Sequence, residues 1–368
     1  MQFLSMNKKT VQRSIAILVP ARNEEVVLSQ TLESILKLVR KSDLYIVNDG
    51  STDKTLKIAK RFTNNILTIK SAKGKANALN SAIAYFKLAS KYQFIFPLDA
   101  DTKISPDFLE NAFKIFEKDT RKELVCVIGK VSGESNNWLT SYRLWEYEVS
   151  QLVHKAAQEK EQAIIVCSGC ATIYRSSLFS KVQFPQNTIV EDMDLTFLIH
   201  RKKLGKIAFA PKAKVVTQDP YTLNGYLKQI RRWYKGYWQC LKKYSIPWGR
   251  QALDFELLLL TIEGLAGGLM VLLLLSTFPF FVVKHPAFFI APFILDFLFF
   301  FFPTIFLTMF IHSDLKIIKY ISNFYFLRLL NSLVFLYSFL ESLFAPADIN
   351  WEQVSRYQIK EGEVCTPH

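Results

Sequence analysis

The chain has 368 residues, half of them hydrophobic and 14% aromatic, with 46 basic against 32 acidic side chains and a formal charge of +14. This composition excludes a disordered chain, and residues 257–344 contain apolar runs longer than a soluble domain buries, which predicts a membrane protein with a large aqueous part. Of the charged side chains, 40 basic and 22 acidic ones lie in residues 1–250, so the basic part is the aqueous part; it suits anionic lipid headgroups or a phosphorylated substrate, and no nucleic-acid partner is required.

From Ile15 short β-rich runs alternate with amphipathic stretches. IAILV precedes Val27, Leu28, Leu32, Ile35, Leu36 and Val39 at helical spacing, then come LYIV and a helix through Lys60. ILTIK, a helix from about Lys75 to Ala89, the strand FIFPL, a helix opened by Ser105 and Pro106, and the strand LVCVIG follow. The alternation predicts a parallel α/β sheet with a nucleotide-binding first half. Ligands of such sheets sit beyond the carboxyl ends of the strands. Asp49 and Asp53 follow LYIV, and Asp99 and Asp101 follow FIFPL, so both clusters are predicted to face one crevice. PARNEE stands where a glycine-rich dinucleotide fingerprint would, and GxxxxGK is absent, which disfavours dehydrogenase and P-loop chemistry.

Beyond Trp138 an aromatic amphipathic helix, WLTSYRLWEYEVSQLVHKAAQ, is predicted, then strands near Ile164 and Thr172 and a helix opening at EDMDLT. Cys167 and Cys170 form a CxxC without the second ligand pair that a zinc site needs. The N-terminal MQFLSMNKK lacks the apolar core of a signal peptide and the cysteines are odd in number, so a reducing, cytoplasmic domain is expected. From about Leu223 to Tyr244 a helix mixes Trp233, Tyr234, Tyr237 and Trp238 with Lys228, Arg231, Arg232 and Lys235, a composition suited to a membrane surface. Three apolar segments follow, roughly 257–283, 287–311 and 317–344, the last divided by Arg328. Lys316 and Lys319 lie in the second connection, so the positive-inside rule predicts a multi-pass protein of the cell membrane with its first domain in the cytoplasm and its acidic tail outside.

Two carboxylates one residue apart, Asp99 and Asp101, at the end of a buried strand offer hard oxygens to Mg²⁺ or Mn²⁺ bridging a diphosphate. Lys75, with Arg231 and Arg232, supplies cations of the kind a departing nucleotide diphosphate requires. PARNEE, VNDGSTD, KANALN, DADT, VEDMDLT and QIRRW occur in that order over residues 15–238, and the series resembles the motifs of family 2 glycosyltransferases of the GT-A fold. Gln229, Arg232 and Trp233 before membrane helices resemble the processive branch, the synthases of cellulose, chitin, hyaluronan and poly-N-acetylglucosamine.

The resemblance implies a Rossmann-like GT-A catalytic domain over residues 1–222, an interface helix in 223–250, about three transmembrane helices in 251–344 and a tail in 345–368. It also implies an inverting, metal-dependent transfer from a UDP-sugar, UDP-N-acetylglucosamine or UDP-glucose, to a saccharide or lipid-linked acceptor. By motif, Pro20, Glu24, Asp49, Lys75 and Asp99 would bind the donor, with Asp49 on the uracil and ribose side and Lys75 on the diphosphate. Asp101, with Asp99, would hold the metal. Asp192 beside Glu191 would be the base, with Val190 in place of the usual Thr, and Asp194 would be structural. Gln229, Arg232 and Trp233 would serve the acceptor and the leaving diphosphate, Trp233 as a stacking platform. Asn48 replaces the first Asp of the usual DDG, Ile230 takes an expected Arg position, and the membrane helices that often precede the catalytic domain are missing from the sequence. Three helices barely enclose a sugar-wide path, so a partner subunit or homo-oligomer is expected to complete an export route. The alternative is a single transfer to a lipid.

Overall fold

The computed structural model describes residues 14–245, 249, 251–284, 286–313, 315–344, 355–360 and 363–365. The chain divides into two units, one of residues 1–132, 155–218 and 355–368 and the other of residues 133–154 and 219–354.

The first unit is built on β1 (Ile15–Ala21), β2 (Leu44–Asp49), β3 (Ile66–Ile69) and β4 (Phe94–Pro97), which pair in parallel in the order β3-β2-β1-β4. The apolar residues of β1, β2 and β4 are buried on both faces, which accounts for their unbroken apolar runs. Crossovers are α1 (Leu28–Leu36), α2 (Thr55–Phe62) and α3 (Lys75–Tyr85). The third helix stops short of Ala89 because Lys87 takes a left-handed φ of 54°.

The remainder departs from the parallel expectation. After β5 (Thr102–Ile104), α4 (Phe108–Lys118) and β6 (Leu124–Ser132), the chain leaves for α5 (Trp138–Glu148) of the other unit, returns at Lys155, and forms β7 (Thr172–Arg175), α6 (Glu191–Arg201) and β8 (Lys206–Thr217). The eight-stranded sheet runs β3-β2-β1-β4-β7-β6-β8-β5, with β7 antiparallel to β4 and β6, and β5 antiparallel to β8. It is therefore mixed, β7 running against both of its neighbours and β5 against β8. No strand forms at Ile164, although Ile164 and Ile165 are buried. At Gly129 the β6–β8 register shifts; a Cβ there would lie 2.4 Å from the Phe108 ring and 2.7 Å from the Ala213 carbonyl oxygen.

The second unit is helical. Asn137 caps α5 by accepting from the amides of Leu139 (3.0 Å) and Thr140 (2.9 Å), and the helix runs into a π-helical turn at Val149–Lys155. Then come α7 (Leu223–Tyr244), α8 (Ala252–Lys284), α9 (Pro286–Asp296), a π-helical turn at Phe297–Phe301, α10 (Phe302–His312) and α11 (Ile321–Phe344). Among the described residues three stretches are long and apolar enough to cross a membrane: Ala252–Phe278, Phe293–His312 and Ile317–Phe344. Leu139, Tyr142, Trp145, Tyr226 and Ile230 pack with Phe301, Ile305, Ile317, Phe324 and Leu327. Arg328 is partnered by both oxygens of Asp296 (2.6 and 3.0 Å), so its charge does not interrupt the third apolar segment unpaired.

The division differs from that expected by motif, since residues 133–154 join the helical unit and residues 355–368 rejoin the sheet unit. The tail does not lie apart from the catalytic domain. Gln218 Nε2 donates to the Tyr357 carbonyl (2.9 Å), the Tyr357 amide donates back to Gln218 Oε1 (3.3 Å), and Gln358 Nε2 donates to the Val26 carbonyl (2.6 Å). Residue 356 is drawn in by buried carboxylates.

Candidate active site

The loops after β1 and β2 are tied together. Pro20 lies beside Val47, one residue before the pairing of β1 ends at Ala21 beside Asn48; beyond it the Thr52 amide donates to Asn23 Oδ1 (2.9 Å), the Glu24 amide to Thr55 Oγ1 (2.8 Å) and the Glu25 amide to Asp53 Oδ2 (3.1 Å). Asn48 accepts from the Ser51 amide at 3.3 Å, so an amide oxygen serves this turn where a carboxylate was expected. Asp49 is buried, and its two oxygens accept from the amides of Lys73 (3.1 Å) and Gly74 (3.2 Å), fixing the loop that delivers Lys75 at the first position of α3. Between them Gly50 has a φ of 69°, and a Cβ would sit 2.8 Å from the Ala72 nitrogen.

The turn after β4 carries the paired aspartates. It is held by the Thr102 amide on the Asp99 carbonyl (3.1 Å) and by Thr31 Oγ1 on the Ala100 carbonyl (2.8 Å). Lys75 Nζ reaches Asp99 Oδ1 at 2.5 Å and Glu191 Oε1 at 2.9 Å. Burial opposes its charge, but Asp99, Glu191 and Asp192 outweigh burial and hold the amine well above the ordinary lysine range. Arg356 grips Glu24 with two nitrogens (2.7 and 2.8 Å), and its third lies 2.6 Å from Asp101 Oδ2. Burial raises the Glu24 carboxyl above its usual pKa, with Arg356 opposing and Asp101 and Asp99 adding to the rise. Five carboxylates, Glu24, Asp99, Asp101, Glu191 and Asp192, thus share the cations Lys75 and Arg356.

Asp192 lies in the first turn of α6. Its Oδ2 accepts from the Gly169 amide (2.9 Å) and its Oδ1 from the Met193 amide (2.8 Å). Burial, then Glu191, raise its pKa, while Lys75 and the two amides pull it down, leaving a carboxylate more basic than an ordinary aspartate. Asp194 is buried and accepts from Thr188 Oγ1 (2.8 Å), a structural contact. At Gly169 an added Cβ would meet Lys75 Nζ at 2.8 Å and Asp192 Oδ2 at 3.4 Å, so the bare backbone lets base and lysine converge. Lys155 donates to Ser168 Oγ (3.2 Å), and burial lowers its pKa.

The remaining motif residues belong to the helical unit. Trp233 stacks beneath the Arg143 guanidinium, 4.8 Å from its ring centroid, and Arg143 also pairs with Asp219 (3.2 Å) and with Glu146. Gln229 Oε1 is buried with no hydrogen-bond partner among the described residues, and Arg232 lies one turn further along α7, partly exposed.

Asp99 and Asp101 are the residues that would hold a divalent cation, offering hard oxygens, and the guanidinium lying against Asp101 marks a position that receives positive charge; no group of three or more ligating side chains is gathered among the described residues. Sequence reading missed Arg356, Gly169 and Lys155. Arg356 is separated from Glu24 by 332 residues and carries no spacing signal. Gly169 had one, a glycine inside CSGC in an otherwise buried apolar stretch.

Residues 16–183 match the family described as "Glycosyl transferase family 2". Over these residues, a little under half of its length, the chain is similar to family 2 glycosyltransferases. Poly-beta-1,6-N-acetyl-D-glucosamine synthase of Staphylococcus epidermidis is 30% identical over 228 residues, 60% of this chain and 54% of that one. The synthase of the same name from Staphylococcus aureus (strain COL) is 29% identical over 243 residues, 63% of this chain and 58% of that one. The chain therefore spans just over half the length of these curated relatives. Among solved structures, the mannosyltransferase PcManGT from Pyrobaculum calidifontis, in complex with GDP-Man and Mn²⁺, shares the GT-A fold with a TM-score of 0.60 at 16% identity, covering 90% of this chain and 87% of that one. The part matched to family 2 includes Pro20, Glu24, Asp49, Lys75, Asp99 and Asp101; Glu191, Asp192, Gln229, Arg232, Trp233 and Arg356 lie beyond it.

Proposed function

We propose that this chain, as a family 2 glycosyltransferase, transfers a sugar from a UDP-sugar, N-acetylglucosamine or glucose, to a growing saccharide, inverting the anomeric carbon to form β-linkages at a membrane. The observation that carries the reading is the convergence of Asp192 with Lys75 and the Asp99–Asp101 turn around one carboxylate-rich crevice. The names of the Staphylococcus relatives support a polysaccharide product and the acetylated sugar.

In this mechanism Asp49 orders the loop at the nucleoside end and Lys75 meets the diphosphate. An acceptor hydroxyl attacks the anomeric carbon, the bond from that carbon to the diphosphate oxygen breaks with its electron pair leaving on UDP, and Asp192 takes the hydroxyl proton. A Mg²⁺ or Mn²⁺ ion held by Asp101 and Asp99 would supply neutralisation of the diphosphate charge. One base and one displacement give inversion. Gln229, with its unpartnered buried oxygen, and Trp233 are assigned to the acceptor, and Arg232 to the leaving diphosphate, by motif.

The test incubates purified membranes with a panel of UDP-sugars and Mn²⁺ or Mg²⁺, reading UDP release and the mobility of radiolabelled product. Release with one donor and label retained at the origin of a thin-layer plate supports the polysaccharide reading. Migrating glycolipid would replace it with single transfer to lipid, and no UDP release from any donor would refute the reading.

A further inference from the structure

One buried titratable group has no part in the reaction assigned to Asp192. Lys155, where the π-helical turn ends, is 6% exposed. Its amine donates to Ser168 Oγ (3.2 Å), and no ion-pair partner or second hydrogen bond reaches it from the described residues. Lys75 is the contrast: it is largely buried too, but Asp99 and Glu191 lie within ion-pair distance and hold its pKa well above the lysine range. At Lys155 burial lowers the pKa, and Cys167, Cys170 and Asp192, which oppose the shift, do not outweigh it.

The fold gains nothing from a cation in this position. Taking an amine out of water with no anion beside it is unfavourable, and an apolar chain of similar length would fill the space without that penalty. Buried charge left unpaired by the fold marks a place where a ligand completes it.

The turn to which the amine is tied says which ligand. The Ser168 carbonyl accepts from the Ala171 amide (3.0 Å) and from Thr172 Oγ1 (2.8 Å), which fixes the turn. The Gly169 amide then donates to Asp192 Oδ2 (2.9 Å), and on the other side the Cys167 amide donates to Thr196 Oγ1 (2.9 Å), whose hydroxyl donates to the Asp192 carbonyl (2.7 Å). Residues 167–169 thus hold the base, and Lys155 is bound to the middle one. Ser168, Gly169 and Asp192 are each partly exposed, so this turn borders open space. The two amines divide the site: Lys75 is tied to Asp99, on the side given to the diphosphate, and Lys155 to the turn that holds the base.

We infer that Lys155 is an acceptor-binding residue, donating to an oxygen of the acceptor sugar beside the hydroxyl that Asp192 deprotonates. Having given one N–H to Ser168, the amine keeps at least one more in either protonation state. The hydroxyl and acetamido oxygens of a neutral sugar are acceptors of the kind it lacks. This role presupposes that Asp192 is the base.

The test compares Lys155→Met and Lys155→Gln with the wild-type full chain in detergent. A binding lysine and a structural one move the melting temperature in opposite directions. Lys155→Met removes an unpaired buried amine, so it should melt at or above the wild-type temperature. Its KM for a soluble N-acetylglucosamine oligosaccharide should rise about 10-fold or more, with UDP affinity by calorimetry unchanged. Lys155→Gln keeps an N–H donor, and its KM should fall between those of Lys155→Met and wild type. Lower melting of Lys155→Met, or its failure to fold, would make the lysine structural and overturn the inference. An unchanged KM for the oligosaccharide, or a loss confined to UDP binding, would overturn it as well. A wild-type chain that releases no UDP from any donor would instead refute the reaction itself, and this role with it.

Discussion

Replacing Arg356 by Gln removes the cation that Glu24 and Asp101 share. The side chains of these two carboxylates are 8% and 9% exposed, so neither recovers its hydration when the guanidinium is gone. Deleting one member of a buried pair costs about 3–5 kcal/mol. Arg356 is itself 18% exposed, and Glu24 already has a raised pKa that lets it take up a proton instead, which argues for the lower end, about 3 kcal/mol. A domain of this size loses about 2–4 °C of melting temperature per kcal/mol, so Arg356→Gln should unfold about 6–12 °C below the wild-type chain. The assay is thermal unfolding of the detergent-solubilised full chain, with and without Mn²⁺. The ion should recover much of the loss in the variant and add less to the wild type, where the arginine already balances the carboxylates. Adding Asp101→Asn to Arg356→Gln should cancel the recovery. Unfolding of Arg356→Gln within about 2 °C of wild type without metal would refute the argument.

Asp192→Asn keeps the shape of the base but cannot take a proton, so turnover should fall by about 10²-fold or more with UDP affinity by calorimetry unchanged. Because burial and Glu191 raise the Asp192 carboxyl, it gains its proton at a higher pH than an ordinary aspartate; activity should be full above that pKa and fade as pH falls through it. Glu191→Gln, by removing the adjacent negative charge, should move this limb of the kcat–pH profile towards acid. Gly169→Ala puts a methyl against the flexible end of Lys75 and beside Asp192, so melting should change little while transfer falls by about 10-fold, the size of a mispositioned catalytic contact. Gly129→Ala meets a backbone carbonyl and the Phe108 ring instead, and should cost about 1–3 kcal/mol by denaturant unfolding.

Among the strands that were legible, β1, β2 and β4 are buried on both faces, where a short unbroken apolar run bounded by turn residues is itself the mark of a strand. The chain hides β5 because three residues make no pattern, and β8 because Pro211, Lys212 and Lys214 break its apolar run on exposed positions. Antiparallel β7 was readable as a strand but not in direction, since nothing local to Thr172–Arg175 encodes its neighbours. At the site, Asp99, Asp101, Lys75 and Asp192 belong to short motifs that keep their order; Asp99 and Asp192 gather around the Lys75 amine, whereas Asp101 is met by Arg356. Arg356 could not be read because pairing across the whole chain is set by tertiary charge balance: a crevice with too many carboxylates takes a cation from wherever the fold returns one.

The distance along the chain between Glu24 and Arg356 also sets an order of events during biosynthesis. With ribosomes adding about 5–20 residues per second, the 332 residues between them take roughly 15–70 s to make. During that interval the loops bearing Glu24 and Asp101 have emerged while their arginine does not yet exist, and the described stretches apolar enough to cross a membrane are made before it. The crevice thus gains its second cation only after translation has passed those apolar stretches, so its completion waits on theirs.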